Sequence, residues 1–372
     1  MKVIKFFACV YLFVCVNTLN AVGSNGAVSL KQKIGQMLII GFNGETVPSE
    51  LQESISEYNL GGVILFNRSL IADKMPNIKN PEQVKNLIAD IQKSSKTKMF
   101  VTVDQEGGLV ARLKARDGFT NKDSATAKQM ALSNNPSTVY MESVKIAKML
   151  HELGFNFNFA PSVDLDINPS SPAIGKYERS FSNNPNEVVK YAKAFIDGHH
   201  SESIITSIKH FPGHGSSKDD SHEGFVDITD TYSPEELIPF KKLVLQGYND
   251  TVMVAHVFNK NIDEKYPASL SSKFINNILR NEMGYKGVVV TDDLQMKAIE
   301  DHFSLEETVV ATINAGADIL IYGNNLGVYN PNIVKDIVEI VVNNVASGKI
   351  SEKRINESYQ RVMRLKKRYG VI

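Results

Sequence analysis

The chain contains no tryptophan, and its only two cysteines, Cys9 and Cys15, lie close to the N-terminus. A disulfide framework, a thiolate metal site and a cysteine nucleophile are therefore excluded from the rest of the chain. Basic and acidic residues both number 41, so the formal net charge is zero. Without an excess of basic residues, we expect no binding to nucleic acid. Any aromatic platform for a ligand must come from phenylalanine or tyrosine.

The N-terminus has the pattern of a secretory signal. Lys2 and Lys5 precede an apolar run over residues 6–16, and more polar or small residues continue to Gly23. This run is too short to remain in a membrane as a spanning helix. The pattern predicts a signal peptide over residues 1–23 and export of residues 24–372 to the periplasm or the medium. We expect residues 24–372 to form one domain that acts as a monomer. A buried N-terminal strand and lipoprotein processing at Cys15 are the alternatives.

Eight short apolar runs recur along the rest of the chain, each followed by a polar or glycine-rich segment. They lie at residues 37–40, 62–66, 99–103, 155–160, 204–208, 252–257, 287–291 and 319–322. Continuous apolar character is typical of parallel strands that are covered on both faces, and helix-like segments separate the runs. The alternation predicts an α/β fold with a single (β/α)8 TIM-type barrel. An open doubly wound sheet is the alternative.

The most informative segment spans residues 209–222, directly after the fifth run, and reads KHFPGHGSSKDDSH. It concentrates imidazole, carboxylate and ammonium groups: Lys209, His210, His214, Asp220 and His222. Asp104, His256 and Asp292 lie at the ends of the third, sixth and seventh runs. Because (β/α)8 barrels carry their active sites at the carboxyl ends of the strands, we expect all these side chains to meet at one rim.

Several of these segments resemble one known family. KHFPGHG at 209–215 followed by DSH at 220–222 is similar to the signature of glycoside hydrolase family 3, in its β-N-acetylglucosaminidase branch. DQEGG at 104–108, RSF at 179–181, VAHV at 254–257 and TDDLQM at 291–296 belong to the same signature. The resemblance extends over roughly residues 30–370. It implies a barrel domain that hydrolyses terminal β-linked N-acetylglucosamine with retention of configuration.

The resemblance also assigns roles to three residues. It makes Asp292 the nucleophile, which suits a carboxylate that attacks the anomeric carbon and is later released by water. It makes His222, held by Asp220, the acid and then the base, because a carboxylate partner fixes one imidazole tautomer and favours its charged form. Position alone also allows a salt-bridged rim carboxylate at Asp292 and a solvated loop imidazole at His222.

Further polar residues are expected to hold the sugar: Asp104, Arg112, Arg179, Lys209, His210 and His256. The positions that match the first five in the family line the subsite for the terminal sugar, and His256 is expected to face the same pocket. A carboxylate at Asp104 can accept from two hydroxyls. An ion-pair network between rim loops is the alternative for Arg112, and a satisfied core histidine is the alternative for His256. The chain departs from the family at Leu109, where arginine is common.

No metal and no organic cofactor are predicted. His210 and His214 are four residues apart, but Pro212 and Gly213 between them prevent a helix from presenting both imidazoles to one ion. A zinc hydrolase is therefore kept only as an alternative. A β-glucosidase or β-xylosidase of the same family, a glycoside phosphorylase and a non-enzymatic wall-binding protein are the others. The expected partner is a carbohydrate, namely N-acetylglucosamine-containing glycans and muropeptides derived from peptidoglycan.

Overall fold

The computed structural model describes residues 28–71 and 74–372, so the predicted signal peptide lies outside the described residues. Eight strands, β1 to β8, span Leu38–Ile40, Gly62–Ile64, Phe100–Val103, Phe157–Asn158, Ile205–Phe211, Thr251–Val254, Val288–Asp293 and Ile319–Tyr322. Each strand pairs in parallel with its neighbours, and β1 pairs with β8, so the sheet closes on itself. The predicted (β/α)8 barrel is confirmed, and the closing pair excludes the open doubly wound sheet.

Helices cover the outside of the barrel. Within the described residues α1 to α11 span Leu30–Gly35, Ser49–Tyr58, Pro81–Ser94, Ala127–Ala131, Pro136–Leu153, Pro185–Ser201, Leu237–Leu245, Lys297–Glu300, Leu305–Ala315, Ile333–Ala346 and Glu352–Arg368, and Lys273–Glu282 is a π-helix. The helices α3, α5 and α6 all begin with an Asn-Pro pair, in which the asparagine side chain caps the first turn and the proline occupies the first helical position. None of the helices in this part of the chain is both long and apolar enough to cross a membrane.

The interior of the barrel is filled with side chains. Apolar residues from all eight strands or their ends pack there, including Phe100, Phe157 and Met253, and α11 adds Val362 and Leu365. The Lys366 ammonium of α11 donates to acceptors beside the starts of the first three strands: Gln36 Oε1 at 2.8 Å, Gly61 O at 2.9 Å and Lys98 O at 2.9 Å. Helix α11 therefore closes the amino-terminal end of the barrel, which leaves the carboxyl-terminal end for a site.

Two small sheets stiffen the loops at that open end. Gln105–Gly107 pairs with Val110–Ala111 after β3, and Val226–Asp227 pairs with Val257–Phe258. The second pair joins the end of the long loop after β5 to the segment after β6. The loops that bear the motif residues are thus tied to one another as well as to the strands.

Candidate active site

The open end of the barrel contains a hollow in two adjoining parts, with volumes of about 440 Å³ and 100 Å³. The larger part is within the usual size range of small-molecule sites. Eight of the nine predicted site residues line it: Asp104, Arg112, Arg179, Lys209, His210, Asp220, His222 and Asp292. His256 is not among its lining residues. Folding therefore brings together groups from β5 and β7 and from the segments after β3, β4 and β5, as the strand-end argument predicts.

Asp292 lies near the end of β7 and lines both parts of the hollow. Its Oδ1 accepts the backbone N–H of Asp293 at 2.9 Å. Burial alone would raise the pKa of Asp292, but the imidazoles of His256, His210 and His222 together hold it below its usual value. The carboxylate is therefore ionised at neutral pH, which is the form that a nucleophile requires.

The neighbouring Asp293 has a structural position. Its Oδ1 accepts the backbone N–H of Gln295 at 3.1 Å and that of Gly323 at 3.0 Å, which links the end of β7 to the residue after β8. A side chain at position 323 would collide with the Asp293 carboxylate, so this close approach requires glycine. Burial raises the pKa of Asp293 to about 6. The surroundings thus shift two adjacent carboxylates in opposite directions: the pKa of Asp292 lies below the ordinary aspartate value and that of Asp293 lies above it.

Asp220 and His222 form a pair at the mouth of the hollow. His222 Nδ1 lies 2.8 Å from Asp220 Oδ1, and the His222 backbone N–H donates to the same oxygen at 3.0 Å. The His222 side chain is 58% exposed and that of Asp220 is 18% exposed. Although partial burial opposes it, the carboxylates of Asp220 and Asp292 raise the pKa of His222. Because Nδ1 donates to Asp220, Nε2 is the nitrogen that remains for proton exchange with a ligand.

A chain of ion pairs runs along one wall of the hollow. Lys209 Nζ lies 2.9 Å from Asp104 Oδ1 and 2.7 Å from Glu106 Oε1. Arg179 binds Glu106 through Nε at 3.0 Å and Nη2 at 2.7 Å, and Arg112 lies 3.2 Å from Asp104. Burial would raise the pKa of Glu106, but Arg179 and Lys209 lower it to about 2. Asp104, Arg112, Arg179 and Lys209 line the cavity and also belong to the network, so the two interpretations of Arg112 are compatible.

The network keeps Asp104 charged and oriented. Burial acts to raise the pKa of Asp104, but Lys209 and Arg112 hold it below its ordinary value. Each carboxylate oxygen binds one cation, and each has a second lone pair that can accept a hydroxyl. Asp104 is thus preorganised to accept hydrogen bonds from two donors of a ligand.

His210 is oriented by a residue that the sequence argument missed. Asp164, fully buried after β4, lies 2.7 Å from His210 Nδ1 and accepts the backbone N–H of His214 at 2.8 Å. On the other side of the ring, Arg179 Nη2 lies 3.0 Å from His210 Nε2. Since arginine only donates, Nε2 accepts and the proton of His210 is on Nδ1, directed at Asp164. The sequence signal for Asp164 is a carboxylate inside the apolar stretch that follows the fourth run.

The imidazoles of His214 and His256, which also belong to the motif segments, are buried and hydrogen-bonded to the protein. His214 Nδ1 lies 2.8 Å from Ser217 Oγ, and burial together with His210 lowers the pKa of His214 to about 4. His256 is bonded at both ring nitrogens, 2.7 Å from Ser269 Oγ and 2.9 Å from Asp293 O. This geometry fits a core histidine that supports the end of β7, and the contact of His256 with sugar stays a prediction. No group of three or more potential metal ligands is found within residues 28–71 and 74–372.

Known proteins resemble this chain in both sequence and structure. Residues 29–365 match the family model described as the glycosyl hydrolase family 3 N terminal domain. Beta-hexosaminidase A of Pseudoalteromonas piscicida is 30% identical over 391 residues, covering 94% of this chain and 63% of that protein. Beta-hexosaminidase of Haemophilus influenzae is 35% identical over 294 residues, covering 77% of this chain and 79% of that protein.

Among solved structures, a glycoside hydrolase family 3 beta-N-acetylglucosaminidase from a Paenibacillus species superposes with a TM-score of 0.82 at 34% identity. The match covers 93% of this chain and 63% of that one. This chain therefore spans less than two thirds of the Pseudoalteromonas and Paenibacillus proteins.

Proposed function

The chain belongs to glycosyl hydrolase family 3, and from this membership we propose that it is a retaining β-N-acetylhexosaminidase that releases terminal β-linked N-acetylglucosamine. The observation that carries the proposal is the lining of one cavity by Asp292 and by the Asp220–His222 pair. An ionised carboxylate and an imidazole of raised pKa are the two groups that a double-displacement reaction needs. The beta-hexosaminidase names of the relatives support the same activity.

In the first step Asp292 attacks the anomeric carbon, and the bond from that carbon to the leaving oxygen breaks. Protonated His222 donates the proton on Nε2 to the departing oxygen, so the leaving group departs as an alcohol. The product is a glycosyl ester of Asp292 and neutral His222. The raised pKa of His222 favours the protonated form that this step uses.

In the second step water attacks the anomeric carbon while His222 takes one of its protons, and Asp292 is released as a carboxylate. The charge of Asp292 contributes to the raised pKa of His222. Esterification removes that charge, so the pKa of His222 falls in the intermediate, where the imidazole must act as a base. The same contact therefore suits the imidazole to both of its roles.

Sugar binding is assigned to the wall with the ion-pair network. Asp104 would accept hydrogen bonds from hydroxyls, and Arg112, Arg179 and Lys209 would donate to hydroxyl or carbonyl oxygens. Because these cations already hold Asp104 and Glu106 in place, little reorganisation is needed when the sugar enters.

The principal test is hydrolysis of a chromogenic β-N-acetylglucosaminide by the wild type and by Asp292→Ala. We expect a loss of at least about a thousand-fold, the order found when a covalent nucleophile is removed. Asp301→Ala, which alters an exposed aspartate close by in sequence, is the matched control and should retain the wild-type rate. Wild-type turnover by Asp292→Ala would eliminate Asp292 as the nucleophile. The wild type is also assayed on the corresponding chromogenic β-glucoside. Hydrolysis of this glucoside at a rate equal to or above that of the N-acetylglucosaminide would instead favour a β-glucosidase.

Phosphorolysis is a second candidate because of one observation, the use of an imidazole in place of a carboxylate as the proposed acid/base. A neutral imidazole in the intermediate does not repel an anionic acceptor as a carboxylate would. Reactions with added phosphate distinguish the candidates, since formation of a sugar 1-phosphate in place of the free sugar would identify a phosphorylase.

We also propose that the natural substrates are muropeptides from peptidoglycan and that the protein is exported to the periplasm or the medium. The proposal is motivated by the signal-peptide pattern of residues 1–23. Expression of the full chain, fractionation of the cells and N-terminal sequencing test export. Mass spectrometry of a muropeptide mixture tests the substrate, because removal of one N-acetylglucosamine per molecule is expected.

A further inference from the structure

The loop after β5 carries Asp220 and His222. It is held at its beginning by buried carboxylates and at its end by the pairing of Val226–Asp227 with Val257–Phe258. We name residues 213–217 the loop root and residues 218–224 the loop tip. Three consecutive backbone N–H groups of the root end on buried carboxylates. His214 N donates to Asp164 at 2.8 Å, and Gly215 N and Ser216 N donate to Glu236 Oε2 at 2.8 and 3.3 Å.

Glu236 is built into this contact from the other side. It ends the short 3-10 turn before α7, is fully buried, and accepts the Ser233 backbone N–H through Oε1 at 3.4 Å. The backbone of Gly213, with φ of +132°, passes so close that a side chain there would collide with Glu236. Burial raises the pKa of Glu236 to about 7. Both carboxylate oxygens are thus used, one toward its own turn and one toward the loop root.

The loop tip has far fewer attachments. Within the described residues, a single backbone hydrogen bond joins the tip to another segment, from Ala298 N to Ser221 O at 3.4 Å. The bonds that Asp220 accepts from His222 are internal to the tip. The position of the imidazole in the hollow that Asp292 also lines therefore depends on the two anchored ends of the tip, and the root is the end that buried carboxylates hold.

We propose that Glu236 is a positioning residue for the acid/base pair, which sets the place of Asp220 and His222 over Asp292 by binding the backbone of the loop root. Glu236 lines neither part of the hollow, so it acts on the reaction only through the loop. The inference rests on the acid/base role proposed for His222. Asp164 makes a similar contact but also orients His210, so Glu236 is the residue that isolates the effect.

The first test compares leaving groups in Glu236→Gln. A glutamine has one oxygen, so it cannot accept from both Ser233 and the loop root, and one contact is lost. We expect kcat/KM to fall about ten-fold or more for a sugar leaving group, whose departure needs the proton, but less than about three-fold for 2,4-dinitrophenolate. Glu235→Gln, at the exposed neighbouring residue, should change neither value. Equal losses on both substrates, or no loss, would overturn the proposal.

A second readout requires no substrate. NMR titration of His222 in the wild type should give a pKa above the ordinary value, because Asp220 and Asp292 lie near it. In Glu236→Gln the pKa should fall toward that of an exposed histidine, and in Glu235→Gln it should stay at the wild-type value. Glu236→Asp, which keeps the carboxyl group with both oxygens but shortens its reach, should give an intermediate pKa of His222.

These variants also guard against misfolding as an explanation. A thermal melt identifies a variant that fails to fold, and in that case Glu236→Asp alone is compared with the wild type. An unchanged His222 pKa in every folded variant would overturn the proposal. If the wild type hydrolyses no N-acetylglucosaminide, the proposed function fails while the titration still decides the role of Glu236.

Discussion

Replacement of Lys209 by methionine tests the ion-pair network most directly. The Lys209 side chain is 2% exposed, and its ammonium lies 2.9 Å from Asp104 and 2.7 Å from Glu106. Methionine keeps much of the length and apolar character of the side chain but removes the charge. Asp104 would be left with Arg112, and Glu106 with Arg179, so each buried carboxylate would lose one of its two cations.

The expected magnitude follows from the burial. Removing one partner of a buried ion pair costs about 3–5 kcal/mol, because an uncompensated charge stays in the interior. Unfolding entropy of about 2 cal/mol/K per residue over 372 residues gives about 0.7 kcal/mol/K, so Tm should fall by about 4–7 °C. Loss of the cation also raises the pKa of both carboxylates in the folded variant. Their protonation then relieves the cost, and the deficit relative to the wild type should shrink as the pH is lowered.

Lys128→Met is the matched control. Lys128 lies 2.9 Å from Asp166, the same separation as that between Lys209 and Asp104, but its side chain is 43% exposed. An exposed pair contributes less than about 1 kcal/mol, so Tm should fall by no more than about 1 °C. Thermal melts of both variants, with and without N-acetylglucosamine, make the comparison, and only Lys209→Met should lose the stabilisation by the sugar. Equal, small shifts in the two variants would refute the claim that the buried network contributes more than a surface pair.

Three further outcomes are expected. The value of kcat/KM should follow a bell-shaped pH profile. The acid limb should lie below the ordinary aspartate pKa because Asp292 must be ionised, and the alkaline limb above the ordinary histidine pKa because His222 must be protonated. An alkaline limb that persists unchanged in Asp220→Asn would contradict this assignment. Asp318, buried among three arginines, has its pKa lowered to about 2 despite the opposing effect of burial. Its contribution of about 2 kcal/mol to the free energy of unfolding is present above pH 4 and is lost as the pH falls toward 2. Urea unfolding of Asp318→Asn should therefore show a flatter decline between about pH 4 and 2 than the wild type. Incubation with EDTA should leave hydrolysis unchanged, since the proposed steps use only side chains, and inactivation that zinc reverses would favour the zinc hydrolase.

The barrel could be predicted because its strands are covered on both faces. Each of the eight apolar runs contributes one strand of the barrel. The observed ends of some strands differ from the predicted ends, because backbone pairing rather than hydrophobicity decides them. The fifth strand continues to Phe211, beyond the predicted end at residue 208, since Phe211 pairs with Val254. The fourth run, at 155–160, is bonded as a strand only over Phe157–Asn158. Hydropathy locates a buried strand, but its ends depend on hydrogen bonds to neighbours that lie far away in sequence.

The candidate site divides in the same way. Polar residues at or directly after the end of a strand, such as Asp292 and Asp104, are placed at the rim by local sequence, because the carboxyl ends of barrel strands share one edge. His256 also lies close to the end of a strand, but its two ring nitrogens are hydrogen-bonded to Ser269 Oγ and Asp293 O. No local sequence pattern indicates these bonds. Strand-end position thus identifies candidates, and side-chain packing selects among them.

The sequence by itself determined the architecture and the set of reactive groups, because the apolar runs and the residues at their ends are local properties of the chain. What only the tertiary structure decided is the ionisation and orientation of those groups. Glu106 meets Arg179 across 73 positions and Asp164 meets His210 across 46. A buried carboxylate is ionised or neutral according to such partners, and they become neighbours only when the barrel closes.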